Sequence, residues 1–357
     1  MLNRRVTLTA IFGTLAICVF STHSALRLHP ASIVVKEPSN VFFLGKAIQR
    51  LGPARVRFET VELYSGERVA ELAEASEDQI EPPENQGSDS EQAKRQFDVR
   101  VGPGTDVKVG KTYLIGITRF LKSRFPQPKW RVDPEGYRLV DIPVVGSALF
   151  TRSPDLKFLL TAPPDTSVSA PRKILNPILR LLRADPIANR RVASLELFFE
   201  PQLGGKLTQV EIHDLQSIIE DESEDAVVRD YLLQACDRLH VVGESDWVAG
   251  SVRTVLRRAP LQVELGSTVA SFQHTALLVL KRRGGPEDVS LAARMLPSAS
   301  PGVTLSALQT MEALDAQQAL IEARSALEIP ELPQQSKKYL ASFVLRAEAK
   351  KASGTDR

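Results

Sequence analysis

The sequence predicts a two-domain α+β protein, in which a small β-barrel or β-sandwich precedes an all-α domain of repeated helices. Before about residue 170, short segments rich in β-branched and aromatic residues dominate, and after it apolar stripes with helical spacing take over. Hydrophobic residues make up 43% of the chain and charged residues 25%, which are ordinary globular values. The 357 residues therefore suffice for two domains with a substantial core.

The N-terminus has the pattern of an export signal. Arg4 and Arg5 precede a charge-free stretch over residues 6–26, and small residues around Ser24 follow its apolar part. This pattern predicts a cleaved signal peptide over residues 1–25. The alternative is an uncleaved membrane anchor, because the stretch approaches the roughly 20 residues that span a bilayer. Either reading predicts that the rest of the chain is extracytoplasmic, periplasmic or secreted, with membrane contact only through residues 1–26.

Charge and cysteine content narrow the classes of partner and fold. The formal charge is +2, and removal of the signal takes away Arg4 and Arg5 but no acid, so the mature balance is zero. Net charge thus predicts no nucleic-acid partner. Of the two cysteines, Cys18 lies in the signal, so Cys236 remains alone and no intramolecular disulfide is expected in the cleaved chain.

Residues 31–152 are predicted to form the β domain. Its first two strands are separated by a turn at Leu51-Gly52-Pro53, and the second alternates apolar Val56 and Phe58 with charged neighbours. The expected strands are Asn40–Ile48, Ala54–Tyr64, Phe97–Val101, Thr112–Ile117 and Tyr137–Ile142. Residues 71–95 between them are predicted to be a disordered loop, because eight acids precede the first base at Lys94.

Three motifs follow one another along this domain: Asn40–Lys46, then Val56–Phe58 leading to Gly66, then Gly110–Leu114. Their order resembles the netrin and metalloproteinase-inhibitor (NTR-like) domain. The resemblance implies an OB-like barrel. The resemblance does not imply protease inhibition, because this chain lacks the N-terminal cysteine that chelates zinc in the inhibitors of that family.

The remaining chain is predicted to be helical: a linker and basic helix over residues 153–190, a helical domain over 191–350 and a tail over 351–357. One apolar stripe contains Val228, Leu232, Cys236 and Leu239. Gly284–Asp288 marks a stop and restart of helix. Further helices are expected at Val289–Leu296, Val303–Leu314, Ala316–Leu327 and Gln335–Ala349.

Helix starts in this region recur at about 15 to 20 residues, so helix pairs recur at about 30 to 40. With segments such as Ser290–Leu296 and Ser306–Leu314, the region resembles HEAT-like repeats and implies a short α-solenoid. A non-repeating helical bundle would show the same stripes and stays open as the alternative.

Several segments match part of a functional sequence motif but not the whole of it. Gly104–Thr112 echoes a phosphate loop but has one residue too many between its glycines and leads into a strand, so a hairpin turn is predicted. The histidines His213, His240 and His274 fall on separate helices without the paired spacing of zinc ligands. Cys236 is expected in the core, and the acidic run Glu220–Asp225 is expected to form a helix cap or loop.

A basic interval stands between the two regions and contains one acid, Asp185. Such an interval could contact anionic lipid or an acidic partner, could pair with the acidic loop, or could be a solvated helix face. Its members are Arg172, Lys173, Arg180, Arg183, Arg190 and Arg191.

From the sequence we expect an exported protein-interaction or scaffold protein of the cell envelope, with a protein partner of unknown identity. No catalytic, cofactor-binding or metal-binding residue is predicted. The alternatives are an extracytoplasmic hydrolase with a site at the domain junction and a membrane-tethered structural protein. Oligomeric state is left open.

Overall fold

The computed structural model describes residues 30–66, 95–102, 105–121, 131–133, 136–161, 171–239 and 246–352. The predicted signal segment lies outside the described residues, as does the predicted acidic loop apart from Arg95. Among the residues that are described, no helix combines the length and the apolarity that crossing a bilayer requires.

The N-terminal domain is built from ten strands within the described residues. They are β1 (Asn40–Gly52), β2 (Arg55–Ser65), β3 (Gln96–Arg100), β4 (Thr112–Thr118), β5 (Phe120–Leu121), β6 (Arg131–Val132), β7 (Tyr137–Leu139), β8 (Asp141–Ile142), β9 (Gly146–Ser147) and β10 (Leu149–Thr151). The predicted strand over Tyr137–Ile142 is thus divided into β7 and β8.

Five of these strands close into a barrel. Their hydrogen-bonded order is β1–β2–β3–β7–β4, and β4 pairs back with β1. The β3–β7 pair is parallel and the other pairs are antiparallel. The expected β domain is therefore confirmed as a barrel rather than a sandwich. β10 extends the sheet by pairing with β4 beside β7.

Strand β1 is buried on both faces, which accounts for its unbroken apolar run. Val41 and Phe43 point into the barrel, where they pack with Ile115 and Ile117 of β4. Phe42 belongs instead to the core outside the barrel. A strand with one solvated face would alternate apolar and polar residues, whereas a strand covered on both sides is apolar throughout.

The outer face of β1 and β4 is covered by helices. These are α1 (Ala31–Val35), α2 (Pro154–Thr161), α3 (Pro171–Leu181) and α4 (Ile187–Phe199). Phe42 and Leu114 of the barrel share one apolar cluster with Val35, Leu156 and Ile178 of these helices. The barrel and the helical domain therefore have a common core.

A carboxyl group is buried where α1 meets α4. Glu196 of α4 is only 7% exposed, and its oxygens accept hydrogen bonds from the Ser32 backbone N–H at 3.0 Å and the Ser32 hydroxyl at 3.2 Å. Burial raises the pKa of Glu196 to about 7 because the low-dielectric surroundings disfavour its charged form. The carboxyl thus links the first helix to the helical domain.

The helical domain continues with eight further α-helices in the described residues. They are α5 (Gln209–Glu220), α6 (Ala226–Arg238), α7 (Trp247–Arg258), α8 (Thr268–Arg283), α9 (Val289–Ala293), α10 (Pro301–Leu314), α11 (Ala316–Leu327) and α12 (Gln334–Ala352). The predicted restart at Gly284–Asp288 is a 3₁₀ turn over Pro286–Asp288 that leads into α9. The bounds predicted for α11 are those observed.

The helices from α4 onward alternate between two rows. α4, α6, α8, α10 and α12 pack one after another in the first row, and α5, α7, α9 and α11 pack one after another in the second. From α5 onward, each helix also contacts at least one chain neighbour in the opposite row. Apolar residues such as Leu232, Cys236 and Ala276 fill the space between the helices and are fully buried.

Polar side chains link segments of this domain that are distant in sequence. Arg191 donates to Asp225 at 2.8 Å and Arg253 to Asp288 at 2.8 Å. The sequence separations of these two pairs are 34 and 35 residues. Asp225 also caps α6 by accepting from the backbone of Val227 and Val228, so the ion pair and the helix start are fixed by one carboxylate.

Gly116 of β4 is predicted to be required for close contact between the barrel and its cover. A Cβ atom there would lie 2.9 Å from Ala148 Cβ and 3.5 Å from Val35 Cγ1. We expect Gly116→Val to lower the free energy of unfolding by about 1–3 kcal/mol through overpacking, as measured by urea denaturation. Gly52→Val is the control, because no atom lies within 4 Å of its added Cβ. Equal losses for both variants would contradict the assignment.

Glu196 is predicted to make stability fall as pH rises from about 4.5 to about 7. The folded chain retains the Glu196 proton to a higher pH than the unfolded chain, for which the reference pKa is 4.5. Ionisation over this window therefore costs folding free energy, on the order of 3 kcal/mol. Glu196→Gln keeps an acceptor for Ser32 and should flatten this part of the pH profile in urea denaturation.

Glu328→Gln changes an exposed carboxyl at the end of α11 and serves as the control. An unchanged pH profile for Glu196→Gln would show that the buried carboxyl does not govern this dependence.

Candidate functional site

The phosphate-loop echo and the acidic run have structural roles, as predicted. Thr112 begins β4, so the glycine-rich segment leads into a strand and provides no helix N-terminus for a phosphate. In the acidic run, Asp225 caps α6 and Asp221 accepts from the Ser223 backbone N–H at 2.9 Å. Among the described residues, no group of histidine, cysteine and carboxylate side chains is placed to hold a metal ion.

The basic interval is largely neutralised within the chain. Arg172 pairs with Glu211, Arg180 with Asp155, Arg183 with Asp214, Arg190 with Glu224 and Arg191 with Asp225. The partners belong to neighbouring helices or to the residues just before them. These five arginines therefore have acidic partners within the chain, and contact of the interval with lipid or an acidic partner stays a hypothesis. The alternative hypothesis, that these arginines pair with the acidic loop, stays untested because that loop lies outside the described residues.

Two shallow clefts lie near the domain junction, where a hydrolase site was hypothesised. One separates α2 from α3 and the other separates α3 from α5, and Asn176 and Arg180 line both. Their charged groups are Lys173 and the ion pairs of Arg180 with Asp155, Arg172 with Glu211 and Arg183 with Asp214. Neither cleft is lined by serine, cysteine or histidine among the described residues.

One histidine contacts a serine across two helices of the first row. His274 Nδ1 lies 2.5 Å from Ser306 Oγ, and Ser306 Oγ donates to the Gly302 carbonyl at 2.9 Å. Since a hydroxyl has one proton, His274 donates to Ser306 rather than taking its proton. Nearby Asp230 accepts from Gln234 at 2.9 Å, and burial raises its pKa. The group holds α8 against α10 and does not activate Ser306 as a nucleophile.

Two helices of the first row, α4 and α6, carry an aromatic and cationic cluster. Phe198 of α4 meets Tyr231 of α6 edge-on, with ring centroids 6.1 Å apart. The Arg238 guanidinium lies 4.4 Å from the Phe198 centroid, and burial raises the pKa of Tyr231 to about 12. Together with His274 and Gln309 of α8 and α10, these residues define what we term the stack face.

A separate pocket opens where α5 and α7 end and α6 and α8 begin. We term it the Arg229 pocket; its volume is about 170 Å³. The residues that line it include Glu222, Arg229, Val255, Arg258, Phe272 and Gln273.

Arg229 is the unusual group of this pocket, because it is a buried cation with a free edge. It is 9% exposed, its Nε donates to the Ile219 carbonyl at 2.9 Å, and its guanidinium lies 4.3 Å from the Phe272 centroid. Desolvation lowers its pKa, and Glu222, Asp221 and Glu224 act in the opposite direction. Within the described residues, its two terminal nitrogens make no hydrogen bond.

Sequence reasoning missed this pocket, although one signal was present. Arg229 falls three residues before Leu232 and seven before Cys236, so it lies on the apolar side of the α6 stripe. A cation on such a side requires a partner or a function, since burial of an unpaired charge is costly. Gln273 and Phe272 gave no comparable signal.

Comparison of the chain with protein-family models, with curated proteins and with solved structures found no match. The function must therefore be argued from the geometry of the stack face and the pocket.

Cys236 is predicted to resist alkylation in the native protein. Its side chain is fully buried in α6, and burial raises the pKa of its thiol, so little reactive thiolate forms. In a Cys18→Ser chain, iodoacetamide should label Cys236 rapidly in urea and at least about a hundredfold more slowly without it. Mass spectrometry of timed samples measures both rates. Rapid labelling of the native chain would overturn the core assignment.

Proposed function

We propose that the protein is an exported binding protein that holds a protein partner on its helical domain. The observation that carries this proposal is the alternation of helices between two rows. Ion pairs between residues 34 or 35 apart connect successive repeats of this arrangement. Both features are typical of α-solenoids, which stack similar helix pairs and present extended surfaces to partners. They support the HEAT-like interpretation over a non-repeating bundle.

The stack face is the surface we assign to the partner. Tyrosine, arginine and other aromatic residues dominate the energetics of protein interfaces, because they provide large rigid contact areas with a polar or charged end. Half-buried Phe198 and Tyr231 and exposed Arg238 bring these residue types together on α4 and α6. His274 and Gln309 extend the face with polar groups.

The barrel supports the NTR-like interpretation of the N-terminal domain. A closed five-stranded barrel in which β3 is parallel to β7 and the remaining neighbours are antiparallel is the connectivity of OB-type barrels. Its role in the proposal is to anchor the helical domain through their common core.

Export is proposed from the sequence of residues 1–26. Cleavage would release the protein from the membrane, whereas retention of the segment would make it a tethered structural protein. Cell fractionation followed by N-terminal sequencing distinguishes these two forms.

A photo-reactive amino acid placed at Gln234 on the stack face is predicted to cross-link the partner in the native host. Gln234 is half-buried on α6 beside Asp230, between Tyr231 and Arg238. We expect one adduct of defined mass in gels and mass spectra. Arg238→Ala should reduce its yield by roughly tenfold, the usual effect of losing an arginine anchor.

The matched controls are the same photo-reactive residue at Arg257 of α7, in the second row, and an Arg257→Ala variant combined with the Gln234 probe. Adduct formation from Arg257 alone, or an equal yield after Arg238→Ala, would contradict the assignment of the partner to the stack face.

A further inference from the structure

The Arg229 pocket lies at the ends of four helices and needs its own explanation. The Arg229 guanidinium is held in place from two sides, by the Ile219 carbonyl and by the Phe272 ring. Its remaining edge presents two N–H groups side by side. This is the geometry that binds a carboxylate with two parallel hydrogen bonds.

A second cation borders the pocket at the end of α7. Arg258 is exposed and lines the same cavity. Two guanidinium groups at one small cavity, which Glu220 and Glu222 also line, can donate several N–H groups to an anionic group. Arg258 can move to meet a ligand because it has no hydrogen-bond partner within the described residues, whereas Arg229 is already oriented.

The other walls of the cavity are apolar. Val255 is 5% exposed, Phe272 is 2% exposed and Ala259 is 6% exposed. The volume of about 170 Å³ is below the 300–1,000 Å³ of ordinary cofactor sites. An occupant that uses both the cations and these walls is therefore small, with one apolar group next to its anionic group.

Gln273 adds an unused acceptor. Its Nε2 donates to the Pro260 carbonyl at 2.7 Å, which fixes the orientation of the amide because a carbonyl can only accept. Its Oε1 has no hydrogen-bond donor among the described residues, and Gln273 is 1% exposed. A ligand N–H close to the anionic group would complete this amide.

Two acidic side chains of the pocket favour a singly charged anion over a doubly charged one. Glu220 and Glu222 line the same pocket, and they would repel a doubly charged phosphate more strongly than a singly charged carboxylate. They also favour a ligand that carries a hydrogen-bond donor beside its anion. A carboxylate with a neighbouring N–H satisfies both conditions.

From these contacts we propose that the Arg229 pocket binds an apolar residue with a free α-carboxylate. The carboxylate lies on Arg229 and Arg258, the apolar side chain lies against Val255 and Phe272, and the N–H on the same carbon faces Gln273. The C-terminal residue of a polypeptide and a free apolar amino acid share this chemistry. The inference rests on the proposed binding function, for which the pocket would hold the end of a partner chain.

Isothermal titration of the full chain tests the site with three probes: N-acetyl-alanyl-leucine, its C-terminal amide and free leucine. N-acetyl-alanyl-leucine, called the acid below, is expected to bind at least roughly tenfold more tightly than its C-terminal amide. Only the acid offers a carboxylate to the two arginines. Binding of the acetylated acid without free leucine assigns the site to polypeptide C-termini. Binding of free leucine as tightly as the acid assigns it to amino acids.

Arg258→Gln is expected to weaken binding of the acid by about tenfold with little effect on folding, since Arg258 is exposed. Arg257→Gln changes the adjacent exposed arginine outside the pocket and should leave affinity unaltered. Arg229→Lys keeps the charge but removes the paired N–H edge. It should weaken binding of N-acetyl-alanyl-leucine, while thermal unfolding shows that the fold is intact. Equal affinity for acid and amide, or no binding of either up to about 10 mM, overturns the inference.

The result can be separated from the proposed function. If the Gln234 probe still captures a partner while the acid does not bind, this inference alone fails. If the acid binds with the expected selectivity but no partner is captured on the stack face, the pocket stands and the proposed function fails.

Discussion

The burial of β1 and β4 on both faces is the constraint on which the rest of the molecule depends. A small barrel can leave its outer surface in water, but this one places Phe42 and Leu114 there with almost no exposure. Each such side chain contributes about 1.5–3 kcal/mol when it is removed from water. Those residues require a cover, and α1 lies on β1 and packs in turn against α2 and α4. Gly116 then becomes a point of close approach, because the cover lies directly on the strand.

The sequence predicted the local elements well because they depend on local patterns. Period-two alternation located β2, and the 3.6-residue stripe located α6, whose members Val228, Leu232 and Cys236 are all buried. The five-residue helix α1 was not predicted, since so short an element leaves no periodic signal. The strand pattern left a barrel and a sandwich open, because the parallel β3–β7 pair that helps close the barrel joins segments about 40 residues apart and depends on the global arrangement.

The candidate site shows the same limit more sharply. The basic interval displayed its charges but not their partners, since Glu211, Asp214 and Asp225 approach only after the helices pack. The Arg229 pocket draws on the ends of four helices, so no single segment encodes it. Arg229 itself was the one readable sign, as a cation on the apolar side of a stripe. Recognising it would have required treating an exception to the pattern as informative, which physical chemistry justifies because buried charge is costly.

The contact between Ser32 and Glu196 has a mechanical consequence. Ser32 lies just after the N-terminal apolar segment, and Glu196 lies in the helix that begins the first row. If the segment is held in a membrane, any pull on the chain reaches α1 before β1 and loads these two hydrogen bonds. Force would then pass into α4 and on to both domains together, instead of peeling β1 from the barrel one hydrogen bond at a time. The short helix would serve as a mechanical clamp, placed where a tether would join the folded protein.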